Sequence, residues 1–180
     1  MSDDLLLRRM AEEIASLRER VGDLERQERM RMPTAAQVGA SPAGPAFSVN
    51  KGGTNQIGIV PSTFTLVTWS TEVFDPGGAF AASTFTPAVG GVYMLAATIL
   101  WLSGLDDQTR IIISIYKNGA ELYRVEGAAS GTALQASSII GVASAQAGDT
   151  FDVRCWHNAT SNLGLSGDTR YSHFHGARVA

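Results

Sequence analysis

Apolar positions in the first thirty residues step by alternating threes and fours: Leu7, Met10, Ile14, Leu17, Val21 and Leu24. This is a heptad seam, with Leu7, Ile14 and Val21 at position a and Met10, Leu17 and Leu24 at position d. A stripe that narrow holds too little apolar surface for a globular core. It fits a helix that pairs with copies of itself. The flanking charges agree, since Glu13 can reach Arg18 on a neighbouring chain and Arg20 can reach Glu25. Both are g-to-e pairs of opposite sign, the pattern for parallel chains in register. The spacing predicts a coiled-coil helix over residues 1–32, capped by Ser2 or Asp3 and stopped before Pro33. Gly22 weakens it and the seam fails at Glu28, so its roughly three heptads are marginal alone. The coil is therefore expected to set register while a larger interface forms between C-terminal heads. A chain starting at Phe47 should still assemble.

Residues 33–46 carry no charge and no periodicity. Pro33, Pro42 and Pro45 with Gly39 and Gly44 bar regular structure, which makes this stretch a linker. From Phe47 the period shortens. Runs rich in Val, Ile, Thr, Phe and Trp alternate with Gly, Pro, Asn and Asp. Expected strands cover 47–50, 65–74, 79–85, 91–102, 109–117, 120–127, 134–145, 150–158 and 171–179. Asn118-Gly119 is the firmest hairpin signal, because a type I′ turn needs positive φ at both central residues. Short strands and no second helix indicate an all-β head over residues 47–180, a β-sandwich or jelly roll. The runs Ile111-Ile112-Ile113 and Tyr93-Met94-Leu95-Ala96-Ala97 are apolar on both faces. One outer face should then be covered by a neighbouring subunit.

Charge sharpens the boundary. Of 14 Lys/Arg and 17 Asp/Glu, 7 and 8 lie in residues 1–31. The net charge of -3 gives no case for binding nucleic acid. Cys155 is the single cysteine, so there is no disulfide framework, and a small buried residue is its simplest role. Leu5-Leu6-Leu7 is too short for the apolar region of a signal peptide, and no apolar run approaches membrane-spanning length. Synthesis in the cytosol and no membrane insertion are expected.

Four stretches, in order, resemble the C1q-like domain. They are Gly78-Ala79-Phe80 with Phe85-Thr86-Pro87-Ala88-Val89-Gly90-Gly91-Val92-Tyr93, then Tyr116-Lys117-Asn118-Gly119, then Gly148-Asp149-Thr150-Phe151, then Ser172-His173-Phe174-His175-Gly176. The resemblance spans about residues 47–180. It implies a jelly roll of about ten strands, a homotrimer, and core or interface roles for Phe85, Tyr93, Tyr116 and Phe174. Two departures stand out. No collagen repeat precedes the head, and Met94-Leu95 replaces the usual aromatic pair. A coil, an Ala/Pro linker and a C1q-like head together resemble fibre, spike and decoration proteins of bacteriophage particles. That likeness implies a structural virion protein, assembled in the host cytoplasm beside capsid or tail proteins. Arg20-Val21-Gly22-Asp23-Leu24-Glu25 fits a pattern of short trimeric coils, with the Arg20 stem over the seam and its head on Glu25 of the next chain. Packing alone, β-branched at a and Leu at d, favours a dimer. The head and the motif together point to a trimer.

Candidate chemistry is sparse. His173 and His175 stand two apart on one strand and share a face. Around a threefold axis they could ring a metal or an anion; ordinary interface hydrogen bonds are the simpler role. Asp106-Asp107, or Asp168, could supply oxygen ligands to calcium, or simply line a solvated turn. Asn158-Ala159-Thr160 fits a glycosylation sequon by chance. No nucleophile triad, phosphate loop or metal-spaced cluster is present, so an enzyme is not expected and no cofactor is required. The rival to a structural role is a receptor-binding module that recognises a host-surface glycan or protein through loops 102–108 and 157–168.

Overall fold

The computed structural model describes residues 13, 16–18, 20–23, 45–102, 105–131 and 134–180. The chain divides into two units, Met1–Pro42 and Ala43–Ala180. In the first, the described residues are helical. Leu17 and Val21 of the seam are exposed there, at 51% and 52%, as an unpaired stripe would be. Arg20 is helical and exposed too. Leu7, Met10, Ile14, Leu24 and Glu25 lie outside the described residues, as do residues 33–44 of the expected linker 33–46, whose last residue, Ala46, instead opens the first strand of the head.

The second unit is a two-layer sandwich. Its strands are β1 (Ala46–Asn50), β2 (Gln56–Ile59), β3 (Thr65–Leu66), β4 (Thr71–Phe74), β5 (Phe80–Ala81), β6 (Thr84–Phe85), β7 (Gly91–Trp101), β8 (Arg110–Lys117), β9 (Ala120–Ala128), β10 (Gln135–Ala145), β11 (Phe151–His157), β12 (Leu163–Leu165) and β13 (His173–Arg178). In the larger sheet, β10 pairs with one side of β7 along its whole length. On the other side of β7 follow β13, β1 and β4 in that order, with β12 and β2 extending the far end. The smaller sheet runs β5-β6-β11-β8-β9, with β3 added to β11. All pairings are antiparallel. The first and last strands lie side by side, as the closure of a jelly roll requires.

Strand β7 shows why these residues make this sheet. Tyr93, Leu95, Ala97, Ile99 and Trp101 point inward and are buried, while Met94, Ala96 and Thr98 point out. On the facing sheet Ile111, Ile113, Ile115, Phe151 and Val153 close the core. At one end Phe47 stacks on Phe80 and Phe85 with centroids 5.0 and 4.4 Å away, and meets Phe174 edge-on at 4.8 Å. Gly176 makes that packing possible, because a Cβ there would sit 2.4 Å from the Phe47 ring and 2.8 Å from Leu95.

Two expected strands divide. The run 65–74 breaks between β3 and β4, where the Trp69 amide donates to the Ser83 hydroxyl instead of to a ladder. The run 79–85 folds on itself into β5 and β6 through Ala82 and Ser83, both left-handed at φ 48° and 64°. Strands β2 and β12 are additions to the sequence-based set. The β8–β9 hairpin turns on Asn118 (φ 51°) and Gly119 (φ 78°), as expected. Gly119→Ala should cost about 1 kcal/mol, because Ala disfavours that region while open space surrounds the site. A urea titration checks this; an unchanged midpoint would exclude it.

Candidate functional site

The two outer faces of the sandwich differ in chemistry. On the smaller sheet charge pairs with charge, and each cation covers a ring. Arg110 pairs with Glu126, Arg124 with Glu121 at 2.7 Å, and Arg154 with Asp152 at 2.8 Å. Their guanidinium groups lie 5.3 Å from the Trp156 ring, 5.4 Å from Phe64 and 4.2 Å from Tyr116. Three positive and three negative side chains leave this face neutral and internally satisfied. Tyr116 belongs here, on the outside of the smaller sheet, whereas Phe85, Tyr93 and Phe174 are fully buried in the core.

The outer face of the larger sheet is built of a different set. Register places Val142 beside Met94 and Met94 beside Ala177, which pairs with Ala46. The next row reads Ile140, Ala96, His175, Ser48 and Phe74. The third reads Ser138, Thr98, His173 and Asn50. None of these side chains is acidic, and none is Lys or Arg. Ile140 is 66% exposed, Val142 54%, Phe74 50% and Met94 41%. Large apolar side chains held in water by a rigid sheet are costly unless something covers them.

The face also has relief. Ile140 and Val142 stand up from β10 at one margin. Toward the other margin lies a hollow of about 230 Å³, lined among others by Ala46, Phe74, Met94, Ala96, His175 and Ala177. At about 4.8 Å per strand, the ridge and the β1–β4 side of the hollow are roughly 15–19 Å apart. One chain therefore carries both an apolar projection and an apolar recess.

His173 and His175 share this face, as their spacing predicts. His175 Nε2 is 2.8 Å from His173 Nδ1, and His175 Nδ1 is 2.8 Å from the Ser48 hydroxyl. Three of the four imidazole nitrogens are thus already engaged, and one chain brings together two such ligands, not three. Among the described residues no three His, Cys, Asp or Glu side chains converge on a common point. The calcium candidates stay separate in function. Asp106 is exposed, Asp107 accepts a long 3.3 Å bond from the Gly131 amide, and Asp168 is held by Arg170 at 2.6 Å. The Arg170 side chain and amide hold the Asp168 carboxyl well below its usual range, at about 2.

Of the loops named for receptor contact, His157 and Leu105 are fully buried and so unavailable. His157 Nδ1 accepts the Ala159 amide at 3.2 Å, which leaves Nε2–H to donate to the Ile59 carbonyl at 2.9 Å. It is a neutral core histidine, and burial lowers its pKa. Cys155 is fully buried, with its thiol pushed up to about 12 by burial. No helix among the described residues is long and apolar enough to cross a membrane.

No family model matches this sequence, and no curated protein matches it either. Solved structures do match the head. The globular domain of zebrafish complement 1qA protein is 16% identical, with 76% of this chain and 98% of that chain covered at a TM-score of 0.52. The head has the C1q/TNF-like jelly-roll fold. Murine APRIL at pH 8.0 gives 18% identity, 75% and 98% coverage and a TM-score of 0.55. Eiger TNF from S. frugiperda gives 12%, 77% and 94%, and 0.58. At these identities the likeness shows fold alone, and function has to be argued from the faces of this head.

Proposed function

We propose that this chain is a structural protein of a bacteriophage particle, a homotrimeric fibre, spike or decoration protein. Its coil sets register or attaches it, and its jelly-roll head projects. The observation that carries the assembly is the apolar outer face of the larger sheet, with a ridge at one margin and a recess toward the other. A ridge that fits a recess elsewhere on the same molecule makes a head-to-tail contact, and such contacts close into rings when the rotation allows. Three copies, each offering β10 to the β1–β4 side of the next, would cover the face in every protomer. The exposed helical Leu17 and Val21 offer a second, parallel contact between the same copies. The particle context rests on the order of coil, linker and head in the sequence. The charge-paired smaller sheet would face solvent.

Light scattering on the full chain tests the assembly. The expected mass is three times the 19.1 kDa chain, and a monomer at micromolar concentration would overturn the trimer. The particle role is tested by labelling purified particles of the encoding phage with an antibody to the head. Signal at a defined place on the particle is expected, and its absence would overturn the role.

A further inference from the structure

The histidine pair sits within the face that the proposed assembly covers. Two imidazole nitrogens 2.8 Å apart hold a single proton between them. The Ser48 hydroxyl, itself buried, holds the other end of the relay. In the neutral state each of these two gaps contains one donor and one acceptor. The ring centroids are 4.6 Å apart. A first added proton leaves the relay intact as imidazolium beside imidazole, with its charge on the face. A second would set two N–H groups against each other and break the bond.

We infer that this His173–His175 relay makes self-association of the heads acid-sensitive, because a proton taken up by the pair is an uncompensated charge within the covered face. The inference rests on the assembly proposed above. Among the described residues, the groups around the pair offer no counter-charge. Strand β1 presents Ser48 and Asn50, β7 presents Ala96 and Thr98, and β10 beyond it presents Ser138 and Ile140. The charged residues on the adjoining strands, Glu72 and Arg178, pair with core-facing Val49 and Tyr93 and so belong to the opposite side of the sheet. Glu72 on β4 lines a separate hollow with Trp69 and Phe80, and Arg178 on β13 donates to the Ala180 carbonyl. Burial already holds both imidazoles below their ordinary pKa, and for His175 the neighbouring His173 adds to this. Covering the face with another copy removes more water and deepens the shift. Protons therefore bind the separated heads better than the assembled ones, and acid favours separation.

If covering lowers each pair's affinity for a proton tenfold, three chains together change the trimer's dissociation constant by about a thousandfold. Sedimentation of the full chain at pH 8 and pH 5.5 tests this beside His173→Gln/His175→Gln. Wild type should be assembled at pH 8 and dissociate far more readily at pH 5.5, while the double variant sediments alike at both. Wild type equally assembled at both pH values overturns the inference and leaves the assembly standing. Equal acid dissociation of the variant, which retains His157, also overturns it. A monomer at pH 8 sinks the assembly itself and the relay's role with it. Proton NMR of the imidazoles gives an independent check if the double variant misfolds. Their titration midpoints should be lower in wild type than in a monomeric neutral variant, Ile140→Asn, and equal midpoints count against the inference.

Discussion

Ile140→Asp should leave the head folded and take the assembly apart. Ile140 is 66% exposed in the single chain, so the substitution removes nothing from the core. In the assembly the same side chain is meant to fill a recess on the next copy. Losing a buried Ile forfeits about 1–2 kcal/mol, and carrying an unpaired carboxylate into the contact costs several more. At about 3 kcal/mol or above per interface, each contact weakens at least roughly a hundredfold, and a closed trimer has three of them. Equilibrium sedimentation should show a monomer, with an unchanged circular dichroism spectrum. Leu122→Asp, on β9 of the smaller sheet, is the control and should stay trimeric. A trimeric Ile140→Asp would mean that the heads meet through another surface, and the ridge-and-recess account would fail.

What the sequence made visible followed from local periodicity. The alternation of β7 can be read directly, with Tyr93, Leu95 and Ala97 against Met94, Ala96 and Thr98. Its outward apolar members already implied a covered face. Asn118-Gly119 announces its own turn. The missed elements lack such signals. Strands β2 and β12 exist because they pair with each other, Leu163 with Ile59 and Leu165 with Gln56, across a hundred residues of chain. Gly58 at φ 79° further disguises β2 as a loop. Ala82-Ser83 reverses the chain without Gly or Asn, so only the weak turn preference of Ser83 marks it.

The candidate site was legible in the same partial way. Spacing alone put His173 and His175 on one face. It did not show that they bond each other, nor that Ser48 closes the relay from 127 residues away. Tyr116 looked equivalent to Phe85 and Tyr93, since a buried aromatic on a strand reads alike on either face. The structure separates them by what lies on top. Tyr116 carries the Arg154 guanidinium, and Phe85 carries Phe47.

Lys51 is the residue least readable from sequence, and it yields the second large effect. In Asn50-Lys51-Gly52-Gly53 a lysine looks like a solvated loop residue. It is instead 1% exposed. Its ammonium donates to Gln56 Oε1 at 3.0 Å and to the Thr68 carbonyl at 2.8 Å, and lies 5.7 Å from the Trp69 ring. Burial lowers its pKa from 10.5 to about 8. Below pH 8 the folded and unfolded chains both hold the proton, and the full penalty for burying the charge is present. Between pH 8 and 10.5 the folded state releases its proton first, so this residue's contribution to stability rises with pH. The gap corresponds to about 3 kcal/mol. The Cys155 thiol, raised by burial, acts in the opposite direction above pH 9, as Tyr93 and Tyr116 do above pH 10. The comparison is therefore Lys51→Met against Lys51, both carrying Cys155→Ala, unfolded by urea at equal concentration. The stability difference should move by roughly 2–3 kcal/mol in favour of Lys51 between pH 7.5 and 10. A difference that stays flat across that range would show that Lys51 keeps its proton in the fold, and that its two acceptors and the Trp69 ring fully offset the loss of water.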